Sequence, residues 1–126
     1  MLIQERVREI LNALCEGTGV TETDNEDFEV LLDEFPIWVR TYETPPAITL
    51  YREIAQDVPR SWELSEKVHV ENARYIVFRI IWEDDSVFLR ADIPAEPICA
   101  GQLQHVLETF EAEAEALALD FPDWRR

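Results

Sequence analysis

The chain predicts an α+β fold, an antiparallel sheet with helices packed on one face, in the order α-βββ-α-ββ-α. Three observations carry that reading. Short runs of β-branched and aromatic residues, set apart by prolines and acidic turns, read as strands. Amphipathic stretches at both ends of the chain read as helices. A length of 126 residues with 47% hydrophobic residues is enough for one packed domain, 1–126.

Each element follows from its residues. Ile3, Val7, Ile10, Leu11 and Leu14 recur at helical spacing, with Glu5, Arg6, Glu9 and Asn12 between them. Gly17 and Gly19 stop that helix, and residues 18–27, polar and turn-like, read as a loop. Phe28–Leu32, Ile37–Glu43 and Ala47–Ile54 follow as three strands of a meander. Phe35-Pro36 and Thr44-Pro45-Pro46 separate them, because proline lacks the N–H that a strand interior needs. Ser61 supplies an N-cap for a middle helix over Trp62–Ala73. Tyr75–Trp82 and Val87–Ile93 form a hairpin across Glu83-Asp84-Asp85-Ser86, and Pro94 and Pro97 end it. The last helix runs from Ala100 to Leu119. Leu103, Val106, Leu107, Phe110, Ala114, Leu117 and Phe121 line one face of it, and Glu108, Glu111, Glu113 and Glu115 crowd the rest.

Strand residues alternate between faces, so each strand divides in two. Val30, Leu32, Ile37, Val39, Ile48, Leu50, Ile76, Phe78, Ile80, Trp82, Val87, Leu89, Ala91 and Ile93 fall on the face expected to meet the helices. The opposite face holds Trp38, Tyr42, Tyr51, Tyr75, Val77, Ile81 and Phe88, mixed with Arg40, Arg79, Arg90 and Asp92. A sheet face that met only water would be more uniformly polar. This one is expected either to contact another surface or to be covered by a loop or the N-terminal helix. In the hairpin, like charges directly opposite are unfavourable. A loop closed by Asp84 and Val87, setting Arg79 opposite Asp92 rather than Arg90, is therefore expected.

Composition narrows the function. The formal net charge is -16, from 27 acidic and 11 basic residues. Such a field repels phosphate backbones and anionic membrane surfaces, so neither nucleic acid nor membrane is an expected partner. It suits solubility and cationic or amphipathic polypeptides. Cys15 and Cys99 form no CxxC pair and read as buried thiols in a reducing cytosol. The early charges Glu5 and Arg6 leave no signal-peptide core, and no apolar run is long enough to span a membrane. A cytoplasmic protein is expected.

No chemistry stands out. His69 and His105 lack His or Cys partners at metal-binding spacing, although Glu66 and Glu108 each stand three residues away. Asp24-Asn25-Glu26-Asp27 and Glu83-Asp84-Asp85 lack the spacing and glycine of an EF-hand, and read as solvated turns. Three glycines provide no phosphate loop, no serine occupies a nucleophile elbow, and neither cysteine has a cationic neighbour. No metal, cofactor or catalytic residue is expected.

The second half carries a resemblance. Glu71-Asn72-Ala73-Arg74, the strand Ile76-Val77-Phe78-Arg79-Ile80-Ile81-Trp82, the strand Val87-Phe88-Leu89-Arg90-Ala91-Asp92-Ile93-Pro94 and the helix start Gly101-Gln102-Leu103 resemble the YbjN-like domains of bacteria. Those are grouped with type III secretion chaperones as peptide-binding, chaperone-like (TY-Chap) proteins. Pro36-Ile37-Trp38-Val39-Arg40 and Asp57-Val58-Pro59 extend the resemblance upstream, so that it covers residues 28–121. Members often carry two asparagines three residues apart on the middle helix. Here Asn72 fits the second, His69 stands where the first would be, and Ser86 replaces the usual turn glycine. Asn72 itself reads as structural, since an asparagine at a helix end readily bonds nearby backbone. The resemblance implies a secretion-chaperone-like fold, frequent homodimers and a role in binding polypeptide segments, with no catalytic residues to carry over.

The expected function is therefore a non-enzymatic peptide- or protein-binding, chaperone-like or adaptor domain. Its outer sheet face, at Trp38, Tyr42, Tyr51, Val77, Ile81 and Phe88, would meet a polypeptide client or a second copy in a homodimer. The competing expectations are a constitutive self-associating protein without a client and, last, a small enzyme.

Overall fold

A computed structural model describes residues 2–15, 19–23, 27–31, 36–56, 65–66, 68–69, 78–83, 86–95 and 100–120. Helix α1 (Ile3–Leu14) is followed by strands β1 (Val20–Glu22), β2 (Phe28–Val30), β3 (Ile37–Glu43) and β4 (Pro46–Ala55). After these come β5 (Phe78–Glu83), β6 (Ser86–Pro94) and the terminal helix α2 (Ala100–Asp120). Between β4 and β5, Ser65, Glu66, Val68 and His69 are helical, within the stretch expected to form the middle helix. The remainder of that helix, with Asn72, Tyr75, Ile76 and Val77, lies outside the described residues, as do Leu32 and Cys99.

The strands form one antiparallel sheet in the order β1-β2-β3-β4-β6-β5. Strand β1 corrects the sequence reading, which left 18–27 as loop. Val20, Thr21 and Glu22 pair with Val30, Glu29 and Phe28. A three-residue strand in a polar stretch has too little alternation to declare itself. Gly19 leads into it at φ +77°, a conformation that disfavours residues with a Cβ, and its carbonyl accepts the Leu31 N–H at 2.7 Å.

Both helices pack on the same face. Val7, Ile10 and Leu11 of α1 join Leu103, Leu107, Phe110, Ala114 and Leu117 of α2 in one core. The sheet contributes Phe28, Val30, Ile37, Val39, Ile48, Leu50, Ile54, Ile80, Val87, Leu89 and Ala91 to that core, with Phe78, Trp82 and Ile93 packed at its border. The α2 residues repeat every three or four positions, which leaves Glu108 exposed while Glu111 turns in toward the sheet. Phe78 and Phe110 meet edge to face, 5.7 Å apart at 88°, and tie β5 to α2.

Three polar contacts organise this packing. The Glu43 carboxylate, at the end of β3, accepts the backbone N–H groups of Ile3 at 2.8 Å and Gln4 at 3.2 Å. It thus satisfies donors that the first turn of α1 cannot pair internally. Arg8 of α1 holds Glu22 of β1 at 2.7 Å and lies over the Phe28 ring. Arg52 alternates onto the helix-covered face between Leu50 and Ile54 and is 1% exposed. It donates to Glu115 of α2 at 2.9 Å, with Glu111 at 3.8 Å, so its charge is matched where it is buried.

Candidate functional site

With α1 and α2 on the inner face, the N-terminal helix does not cover the outer one. The registers set outer-face residues into rows that cross the sheet. One row runs Glu29–Trp38–Tyr51–Arg90–Arg79 from β2 to β5. The next holds Arg40, Thr49 and Asp92. Tyr42 and Ala47 lie beyond these at one end of the face, and Glu53, Phe88 and Ile81 at the other. Successive strand residues face opposite sides of the sheet, so these point away from the helix-covered face.

A groove of about 330 Å³ runs over this face, lined by Arg40, Tyr42, Thr49, Tyr51, Ile81, Glu83, Ser86, Phe88 and Arg90. Tyr42, Tyr51, Ile81 and Phe88 had been singled out by strand alternation, and the structure brings all four together. Trp38 stacks on Tyr51 beside the groove, with ring centroids 6.3 Å apart and planes 15° from parallel. Val77 lies outside the described residues. From Ala47 to Glu53 along β4 the face spans about 20 Å at the rise of a strand.

The hairpin register departs from the expectation. Glu83 pairs with Ser86, and Arg79 stands directly opposite Arg90. One observation explains why the like-charge pair is tolerated. Arg90 bonds Asp92 on its own strand, at 3.2 Å through Nε and 3.1 Å through a terminal nitrogen, which offsets the repulsion.

Charge on this face is held in place by contacts the sequence did not reveal. Arg40 grips Asp27 with paired hydrogen bonds, Nε to Oδ1 at 3.1 Å and Nη2 to Oδ2 at 3.0 Å. The same guanidinium lies 5.8 Å from the centre of the Tyr51 ring. Hydrogen bonding to Asp27, then to Tyr42, raises the Arg40 pKa further, so its charge is permanent. Burial pushes the Tyr51 phenol above its ordinary value, the Asp27 charge adds to this, and Arg40 pulls the other way. Burial alone would raise the Asp92 carboxyl. Hydrogen bonds from Thr49, at 2.7 Å, and Arg90 outweigh it, helped by the charges of Arg90 and Arg79, and hold Asp92 below the usual range.

The groove therefore offers ring faces, aliphatic surface, hydroxyls and fixed guanidiniums. Among the described residues no group of three or more His, Cys, Asp or Glu is placed to hold a metal ion. His69 and His105 are exposed on separate helices. Cys15 is half-buried, and burial raises its thiol pKa, the direction that makes a thiol less reactive. Among the described residues no helix is long and apolar enough to cross a membrane.

Comparison with known proteins bears on the fold and the family. The fold is shared with a chain of the ExsC-ExsE complex at a TM-score of 0.77 and 12% identity, covering 94% of this chain and 95% of that one. A chain of the HopA1-SchA chaperone-effector complex matches at a TM-score of 0.71 and 8% identity, covering 90% and 91%. The structure of the Yersinia pestis type III secretion chaperone SycH with a stable fragment of YscM2 matches at 0.63 and 14%, covering 86% and 97%. At these identities the likeness is one of fold. No curated protein matches the sequence. A family model described as T3SS (YopN, CesT) and YbjN peptide-binding chaperone 1 matches residues 2–123. With nearly the whole chain matched, this protein belongs to the TY-Chap1 family of peptide-binding chaperones.

Proposed function

We propose that the protein is a single-domain, cytoplasmic, non-enzymatic chaperone or adaptor that binds an extended polypeptide segment along the outer face of its sheet. The observation that carries this is the groove over β3, β4, β6 and β5, lined by Tyr42, Tyr51, Ile81 and Phe88 and flanked by the Trp38–Tyr51 stack. The face that holds it spans about 20 Å along β4, which suits roughly six residues of extended chain. Rigid aromatic surfaces with a few fixed polar groups are what peptide-binding surfaces use. Family membership supports the reading, as do the three structural neighbours, each solved with a polypeptide partner.

The test uses peptides selected on the wild-type protein from a random twelve-residue display library. Trp38→Ala, with its midpoint of denaturation unchanged, should bind them about tenfold or more weakly. Undiminished binding would move the site elsewhere.

A second reading makes the same face a homodimer interface. The half-apolar face that neither α1 nor α2 covers favours it. Light scattering over a concentration series separates the two. A dimer of twice 14.7 kDa that Trp38→Ala dissociates would assign the face to a second copy, and a monomer would leave it to a client.

A further inference from the structure

Arg90 lines the groove, and Arg79 stands directly opposite it on β5, beside the groove next to Ile81. The two residues occupy directly opposed positions on β5 and β6, an arrangement that is unfavourable unless anions serve both. Arg90 has Asp92, which is also bound by Thr49. Arg79 is exposed and feels the Asp92 charge only at longer range, since among the described residues no carboxylate lies within ion-pair distance of it. Glu29, Glu53 and Glu83 occupy the same face, so the face as a whole is not basic. The cationic site is confined to this pair. It is bordered by Ile81, next on the same side of β5, and by Phe88, both of which line the groove.

We infer that the β5 side of the groove, at Arg79, takes a carboxylate side chain of the bound polypeptide, so that the occupant is an extended segment pairing an aromatic or large aliphatic residue with Asp or Glu. The inference rests on the outer-face reading proposed above. Its physical basis is geometric: a guanidinium offers a carboxylate several N–H donors in a planar fork that matches its two oxygens. It also runs against the field of a chain with net charge -16, which by itself favours cationic segments. The sign of the preference therefore separates local recognition from bulk attraction.

The experiment is a double-mutant cycle read by calorimetry. The probe is a peptide selected from the twelve-residue library on the wild-type protein, and its acidic residue is changed to the matching amide. On the wild type that change should weaken binding about two- to fivefold, the range of a partly exposed ion pair. On Arg79→Gln it should make no difference, and raising the salt should shrink the wild-type effect. Selected peptides rich in Lys or Arg would overturn the inference, as would an acid-to-amide effect that persists in Arg79→Gln. If Trp38→Ala weakens every peptide while the cycle is additive, the outer-face reading stands and the carboxylate site falls. If Trp38→Ala changes nothing, or no peptide is selected, both fall together.

Discussion

Replacing Glu43 with alanine tests how the sheet holds the N-terminal helix. The carboxylate reaches across 39 and 40 residues of sequence to accept the N–H groups of Gln4 and Ile3. Loss of a side-chain cap costs about 1 kcal/mol, and loss of a negative charge at a helix N-terminus about 0.5 kcal/mol at an exposed site. Together these give a total of about 1.5 kcal/mol. For a chain of 126 residues that corresponds to a melting point lowered by about 6 °C. Glu43→Gln keeps an acceptor and loses only the charge, so it should fall by about 2 °C. Urea denaturation gives the same comparison as a lower midpoint at unchanged slope. A Glu43→Ala midpoint indistinguishable from wild type would refute the reasoning, because it would mean that α1 is held by its apolar face alone.

Two further changes probe the inner and outer faces. Phe110→Ala removes a fully buried ring and its edge contact with Phe78, and should lower stability by about 4 kcal/mol in the same denaturation assay. Asp92 has a depressed pKa in the folded state, so its contribution to stability is present above the ordinary aspartate range and is lost as pH falls through the lower folded value. Asp92→Asn should therefore be less stable than wild type at pH 7, and the gap should close below about pH 4. A gap that stays constant down to pH 2 would show that the Thr49 and Arg90 contacts do not favour the charged form.

Much of the fold was legible in the residues because period and punctuation agreed. Strand β3 has the expected bounds Ile37–Glu43, and α2 starts at Ala100 as its apolar stripe requires. Period-two alternation alone placed Tyr42, Tyr51, Ile81 and Phe88 on one face, and the registers turned that face into a groove. What stayed hidden depends on contacts distant in sequence. Asp27, read as part of a solvated acidic run, is buried against Arg40. Arg52 sits between apolar neighbours, and its match in Glu115 appears only when α2 crosses the sheet. Cross-strand repulsion misled the hairpin register, because opposed like charges are worth only a few tenths of a kcal/mol and the Arg90–Asp92 contact offsets them.

The central claim is that polypeptide binds on the outer sheet face. Its most direct test is an amide and side-chain NMR titration of the chain with a library-selected peptide. The expected result is that the largest shifts fall on the Trp38 indole, Tyr42, Tyr51, Phe88 and Ile81, while Val7, Leu11, Leu107 and Phe110 on the helix-covered side stay unmoved. Shifts concentrated on α1 and α2, with the outer rows silent, would contradict the account.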